Sequence, residues 1–175
     1  MTSDLSIPAD WAALAGEVAF VERPVDHVDA VRLLAAFYQE QCGRYGFAES
    51  VDLTPDEYRA PNGIFIVAYQ RDQPVGCGGC RWHDRTTATA EIKKTYVVPA
   101  ARGQGIGHAL LDRLEGAAVA WGARRTILET GVRNTAALSL FTGIGYQPTA
   151  RYVAGRDPSI NRAFIKTLTD ASTVR

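Results

Sequence analysis

The chain has 175 residues, of which 46% are hydrophobic and 22% charged, and its 19 basic side chains balance its 19 acidic ones. This length and composition indicate one globular domain, and the absence of a basic excess argues against general binding to nucleic acid or to an anionic membrane. Three cysteines, a polar and acidic N-terminus and no long apolar run predict a cytoplasmic protein that lacks disulfides, a signal sequence and a membrane span.

The spacing of apolar residues predicts the element order β, α, α, β, β, β, α, β, α, β, β. An N-terminal extension covers residues 1–16 and a single domain covers residues 17–170. The predicted strands cover residues 16–23, 64–69, 74–82, 89–98, 125–130, 145–153 and 163–168. The predicted helices run from Asp26 to Cys42-Gly43, over 54–58, over 106–121 and over 134–143. Polar turns at 70–73 and 84–87 indicate an antiparallel meander, so we expect an α/β fold, a mixed α+β sandwich with a mostly antiparallel sheet of six to seven strands flanked by helices.

A glycine-rich turn opens the long helix and is the most informative segment of the chain. It reads Arg102-Gly-Gln-Gly-Ile-Gly107 and follows a predicted strand. The glycines let the backbone bend closely and expose N–H groups at the positive end of the helix, where a diphosphate binds well. Leu110 stands where a dinucleotide-binding fingerprint needs its third glycine, and the Gly-Lys-Ser/Thr of a P-loop is absent.

Two motifs in this order resemble those of the GNAT family of acyl-CoA-dependent N-acetyltransferases. Arg102, Gly105 and Gly107 fill the pattern Q/R-x-x-G-x-G/A. A second pattern, N-x-x-A-x-x-L-[FY]-x-x-x-G-[FY], is filled by Asn134, Ala137, Leu140, Phe141, Gly145 and Tyr146. The resemblance covers residues 18–168 in element order. It implies a GNAT-type fold, acetyl-CoA as co-substrate and no metal.

The resemblance also implies which residues hold acetyl-CoA. Backbone groups around Val97 would pair with the pantetheine arm, the amides of residues 103–108 would hold the pyrophosphate, and Asn134 would touch the cofactor from the opposite side. Asn134 is equally suited to cap the helix that it opens. The implied cofactor-binding residues are Tyr96, Val97, Val98, Arg102, Gly103, Gln104, Gly105, Ile106, Gly107, His108, Asn134, Ala137 and Phe141.

Two glutamates are candidates for the general base that takes the proton of the amine. Glu91 lies six residues before Val97, so on a regular strand both side chains would share one face. Its position resembles that of the base in histone-type members of the family. Glu129 lies five residues before Asn134 and resembles the base of ribosomal-protein acetyltransferase members. Either could instead be a salt-bridged strand carboxylate, with Lys93, Lys94 or Arg125 as partner. The sequence ranks Glu91 narrowly above Glu129.

The general acid is where the chain departs from the family pattern. The family commonly has tyrosine at the position of Phe141, and phenylalanine has no proton to donate to the leaving thiol. Either the thiolate departs unassisted, or Tyr146, Tyr152 or Tyr96 replaces the missing hydroxyl.

The pattern Cys77-Gly-Gly-Cys80 is a weak signal for redox or metal chemistry. Residues three apart in a strand face opposite sides, and no second Cys/His pair follows for zinc. We therefore expect no metal.

The resemblance implies an N-acetyltransferase that moves an acetyl group from acetyl-CoA directly to a primary amine of a small molecule, an amino acid or a peptide. The alternatives are a non-catalytic acyl-CoA-binding sensor or interaction domain, and a transferase of another short acyl group. Acceptor contacts are expected from residues 38–58, 83–87 and 152–159. We expect neither nucleic acid nor membrane as a partner, and a monomer or a homodimer.

Overall fold

The computed structural model describes residues 17–48 and 53–169, so the predicted extension over 1–16 lies outside the described residues. Within these ranges, seven strands form one sheet that three α-helices flank. The strands are β1 (Val18–Glu22), β2 (Gly63–Gln70), β3 (Gln73–Asp84), β4 (Thr89–Val97), β5 (Arg125–Gly131), β6 (Gln147–Thr149) and β7 (Asn161–Thr167). The helices are α1 (Val28–Tyr45), α2 (Ile106–Ala120) and α3 (Thr135–Gly143), and short 3₁₀ helices cover Pro55–Tyr58 and Pro99–Ala101.

The strand order is β1-β2-β3-β4-β5-β7-β6. Only β4 and β5 run parallel, and the other neighbouring strands pair antiparallel. The predicted meander and the mostly antiparallel α/β sheet are therefore confirmed. In the described part of the chain, no helix has the length and hydrophobicity that crossing a bilayer requires.

Three boundaries differ from the prediction. Helix α1 continues through Cys42-Gly43, because the left-handed residue that ends it is Gly46, whose N–H donates to the Cys42 carbonyl at 2.8 Å. The strand predicted over 145–153 is confined to β6. After β6 the chain turns back through a loop in which Asp157 accepts hydrogen bonds from Ser159. The short helix predicted over 54–58 is a 3₁₀ turn, and the Thr54 side chain does not cap it.

A β-bulge in β4 changes which face its side chains occupy. Tyr96 lies opposite Cys77 and Lys93 lies opposite Gly79, so β4 carries one more residue than β3 in this stretch. Lys94 adopts the left-handed conformation, with φ 57°. The predicted shared face of Glu91 and Val97 is therefore wrong, because the extra residue at the bulge places them on opposite faces of the sheet.

The sheet is buried on both faces. Leu110, Leu111 and Leu114 of α2 pack on one face, and Leu33 and Leu34 of α1 pack on the other.

The two β3 cysteines confirm the predicted alternation. Cys80 lies in the cluster beneath α2 and Cys77 in the cluster beneath α1, and both are free thiols. Burial raises the pKa of Cys80 to about 12. Among the residues that the structure describes, no group of three His, Cys, Asp or Glu side chains could hold a metal ion.

Gly79→Ala is expected to lower the free energy of unfolding by about 1–3 kcal/mol, the range for overpacking a core. A Cβ at Gly79 would lie 2.5 Å from Cε1 of the buried Tyr58 ring. The control is Gly116→Ala in α2, where no atom lies within 4 Å, and where alanine should stabilise by about 0.5–1 kcal/mol. Urea denaturation measures both, and equal stability of the two variants would contradict this packing.

Candidate active site

A notch opens in the sheet where β4 and β5 separate. The two strands pair only over Thr89–Glu91 and Arg125–Ile127, and beyond these residues each pairs with its outer neighbour alone. The Val98 N–H donates to the Val75 carbonyl at 2.9 Å. In an antiparallel ladder, Val97 must then point its own N–H and C=O away from β3. The backbone of Val97 therefore faces the notch, where its carbonyl accepts from Arg102 Nε at 2.9 Å.

The glycine-rich turn closes one end of this notch with unpaired amides. Gly103 and Gly105 take left-handed φ values of 76° and 77°, which glycine adopts without strain. In the described ranges, none of the amides of residues 103–108 donates a hydrogen bond, and the first that does is Ala109, to the Gly105 carbonyl at 3.0 Å. A row of N–H donors at the positive end of α2 is thus available to an anion.

A groove runs from these amides along β4 to α3. It is lined by all of the residues implied as cofactor-binding except Val98 and Gln104. The Val98 N–H is used by β3, and the Gln104 side chain accepts from Gln70 at 2.9 Å. Asn134 caps α3, since its Oδ1 accepts from the Ala137 N–H at 3.3 Å, and the same side chain lines the groove.

Helix α1 forms a wall of the groove that the motifs do not indicate. Glu40 accepts from Arg102 of the turn at 2.6 Å and from Arg44 at 2.7 Å. Phe37 of the same helix also lines the groove. The spacing of Glu40 and Arg44 is a helical i, i+4 ion pair, which was the one available sequence signal.

A second cavity of about 290 Å³ adjoins the groove. Phe37, Arg44, Thr95, Asn134 and Phe141 line both, so the two cavities meet at these residues. Both candidate bases line the second cavity.

The segments expected to contact the acceptor contribute unequally to this cavity. Residues 38–58 contribute Gln41, Arg44, Tyr45 and Phe47, and residues 152–159 contribute Gly155, Arg156 and Asp157. Residues 83–87 contribute none, and the His83 ring packs instead on Tyr152, with 5.2 Å between centroids.

The carboxylate of Glu91 is buried and saturated with donors. Arg81 donates to Oε2 through Nε at 3.1 Å and Nη2 at 3.0 Å. Lys93 and Tyr152 donate to Oε1 at 3.3 and 3.1 Å. Arg81 is also paired with Glu57. These contacts are those of an ion-pair anchor between β3, β4 and the loop after β6.

Glu129 has a different environment. Its Oε2 lies 3.6 Å from Arg156 Nε. Neither carboxylate oxygen accepts a well-formed hydrogen bond from a described residue. The Val153 backbone lies near enough to favour the charged form of the carboxyl. Burial raises the pKa of the Glu129 carboxyl above its usual value, and the Lys93 charge offsets part of that rise. A buried carboxylate with unused lone pairs can accept a proton from a ligand in the cavity.

The three tyrosines considered as proton donors lie in different places. Tyr146 is buried and its hydroxyl lies 2.8 Å from Thr126 Oγ1, while the Tyr152 hydroxyl donates to Glu91. Tyr96 lines the groove beneath the Arg102 guanidinium. Burial raises the pKa of all three hydroxyls. Phe141 lies at the junction of the two cavities, with its ring edge-on to Tyr146.

The sequence is similar to known acetyltransferases. The profile of the acetyltransferase (GNAT) family matches residues 29–146. A curated relative, the IAA acetyltransferase of Azospirillum brasilense, is 37% identical over 86 residues. The match spans 49% of this chain and 56% of the relative, so the chain aligns with little more than half of that protein.

Solved structures share the fold. An acetyltransferase of the GNAT family from Staphylococcus aureus has a TM-score of 0.72 at 19% identity, over 87% of this chain and 100% of that one. A GNAT family acetyltransferase from Elizabethkingia anophelis with acetyl-CoA bound has a TM-score of 0.63 at 20% identity, over 86% and 98% of the two chains. These likenesses confirm the GNAT-type fold. Because the family profile covers more than half of the sequence, the chain belongs to the acetyltransferase (GNAT) family.

Proposed function

We propose that this protein transfers an acetyl group from acetyl-CoA directly to a primary amine. One observation carries the proposal: a groove with unpaired amides at the start of α2 meets a cavity that holds the Glu129 carboxylate. The groove suits a long anionic donor, and Glu129 in the cavity lining suits the amine of a small acceptor. A reaction between the two would take place at their junction.

The amides of residues 103–108 would hold the diphosphate of acetyl-CoA, assisted by the positive end of α2. Along the notch, the Val97 N–H would pair with the pantetheine arm. Bound acetyl-CoA supplies the thioester carbon that the amine attacks. Catalysis by the chain then consists mainly of holding the two reactants in position.

Glu129 is the better candidate for the base, which reverses the order ranked from the sequence. An ammonium acceptor must lose a proton before it attacks, and Glu129 has lone pairs to receive that proton. The oxygens of Glu91 are already engaged by Arg81, Lys93 and Tyr152. We assign Glu91 the role of holding the strands that frame the notch.

The reaction is expected to become slower in acid with an apparent pKa above that of an ordinary glutamate, about 4.3. Burial raises the pKa of Glu129, so its basic form is lost as pH falls through that raised value. The measurement is kcat/KM against pH for the wild type and for Glu129→Gln. Protonation of the amine acts equally on both proteins, so the ratio of the two kcat/KM values isolates the glutamate. That ratio should fall towards one as pH drops through the raised pKa, and a ratio that does not change with pH would contradict the assignment.

Phe141→Tyr tests whether the departing thiol needs a proton donor. We expect little or no gain in kcat, because a thiol with a pKa of about 8.5 leaves readily as thiolate near neutral pH. Phe141 is also only 4% exposed, so an added hydroxyl strains the packing. Steady-state kinetics with saturating acetyl-CoA measures the effect, and a large gain in kcat would show that thiol protonation limits the wild type.

The proposal is tested by incubating the protein with acetyl-CoA and a panel of primary amines, following free thiol release. The panel includes amines, amino acids and peptides. IAA, the compound in the name of the Azospirillum relative, is assayed beside them. Propionyl-CoA and succinyl-CoA test the acyl chain. Tight acetyl-CoA binding without thiol release from any acceptor would favour a non-catalytic sensor.

The buried thiols Cys77 and Cys80 suit a reducing cytoplasm.

A further inference from the structure

We propose that the acceptor is an aromatic α-amino acid whose carboxylate binds Arg44 while its amine faces Glu129. This inference rests on the function proposed above and names the chemical class of the acceptor. Three properties of the second cavity support it: a guanidinium with unused donors, an excess of basic over acidic side chains in the described lining, and an aromatic wall.

Arg44 carries a charge that its partner does not cancel. Its Nη2 donates to Glu40 at 2.7 Å, and within the described ranges its Nε and Nη1 donate to no acceptor. Glu40 also accepts from Arg102 at 2.6 Å, so one carboxylate serves two guanidinium groups. A net positive charge and unused N–H donors therefore remain where α1 lines the cavity. A guanidinium of this kind binds a carboxylate well.

Within the described residues, the cavity lining carries four basic side chains against three acidic ones: Arg44, Lys93, Lys94 and Arg156 against Glu91, Glu129 and Asp157. Glu91 is saturated by its four donors, and Glu129 is needed by the reacting amine. Asp157 already accepts hydrogen bonds from the backbone N–H and the hydroxyl of Ser159. A diamine or polyamine would bring a second cation to a lining in which basic side chains are in excess, whereas an amino acid brings an anion.

Aromatic side chains from α1 and the turn after it form one wall of the cavity. Phe37, Tyr45 and Phe47 line it, with 6.3 Å between the Tyr45 and Phe47 ring centroids. The Tyr45 hydroxyl accepts from the Arg133 N–H at 3.1 Å, and its ring lies against Gly131, where a Cβ would clash. Phe47 is 51% exposed. An acceptor ring placed against this wall would bury the exposed face of Phe47.

The experiment compares phenylalanine with phenethylamine, which has the same ring and amine but lacks the carboxylate, and with alanine, which lacks the ring. Rates are corrected for the fraction of neutral amine. We expect kcat/KM for phenylalanine to exceed that for phenethylamine by roughly 10- to 100-fold, the range for a hydrogen bond to a charged group. Alanine and cadaverine should also be poorer acceptors than phenylalanine. Equal rates with phenylalanine and phenethylamine would overturn the inference and leave the proposed function standing.

Arg44→Gln identifies the group that reads the carboxylate. We expect the preference for phenylalanine over phenethylamine to fall to near one, without a comparable rise in the KM for acetyl-CoA. Arg44→Lys should retain part of the preference, and Arg32→Gln, exposed on the same helix, should retain all of it. A rise in the KM for acetyl-CoA with the preference intact would overturn the inference, because Arg44 would then serve the donor. Absence of thiol release from every acceptor would instead reject the proposed function.

Discussion

Gly105→Val is expected to abolish acetyl-CoA binding, and with it all thiol release. Gly105 lies in the left-handed region with φ 77° at the first position before α2, in the middle of the row of unpaired amides. A β-branched side chain there fits the backbone poorly and blocks the close approach of a phosphate. In the wild type, acetyl-CoA at 100 times its Kd should stabilise the fold by about 2.7 kcal/mol. A thermal melt with and without acetyl-CoA measures that stabilisation, and we expect none in the variant.

The matched control is Gly122→Val at the other end of α2. Gly122 also has a left-handed φ, 91°, and no atom lies within 4 Å of a Cβ built there. This variant carries the same backbone strain away from the groove. We expect it to melt at a lower temperature than the wild type but to keep the full shift with acetyl-CoA. Loss of the shift in both variants would attribute the effect to strain and not to the amides.

Glu129→Gln is expected to lower kcat/KM by roughly 10²–10⁴, the usual effect of losing a general base. The Kd for acetyl-CoA should not change, because the carboxylate lines the second cavity and not the groove. Glutamine keeps the size of the side chain, so the loss reports on proton transfer. Stopped-flow or steady-state thiol release at several pH values measures it.

Glu91→Gln is the neighbouring control, and its largest effect should be on stability. Breaking a buried ion pair costs about 3–5 kcal/mol, and we expect the lower end of that range because Arg81 keeps its contact with Glu57. Its loss of kcat/KM, measured well below the melting temperature, should be smaller than that of Glu129→Gln. The opposite order of the two activities would restore Glu91 as the base.

Most of the fold could be predicted because its local signals agree. The glycine-rich turn, the predicted end of the long helix at residue 121 and the polar hairpin turns mark element ends that the structure confirms to within a residue or two. The end of α1 could not be chosen in the same way, since Gly43 and Gly46 are both plausible stops. Only the packing of the last helical turn distinguishes them.

The site could be predicted only where its chemistry is carried by the backbone. The row of amides follows from glycines in sequence, whereas the environment of Glu91 depends on Arg81 from β3 and Tyr152 from the loop after β6. No local sequence pattern predicts those contacts. The bulge at Lys94 could not be predicted either, because a lysine in a strand does not indicate a left-handed conformation. A strict alternation of side chains then puts Glu91 and Val97 on the same face of the sheet, whereas the bulge puts them on opposite faces.

A single-turnover experiment tests whether the acetyl group passes directly from acetyl-CoA to the amine. The protein is mixed with less than one equivalent of isotopically labelled acetyl-CoA and an accepted amine, and the masses of the protein and of the acceptor are followed with time. We expect one labelled acetyl group to appear on the acceptor for each thiol released, and the protein never to carry label. Label that passes first through a side chain of the protein, or thiol release without an acetylated acceptor, would contradict it.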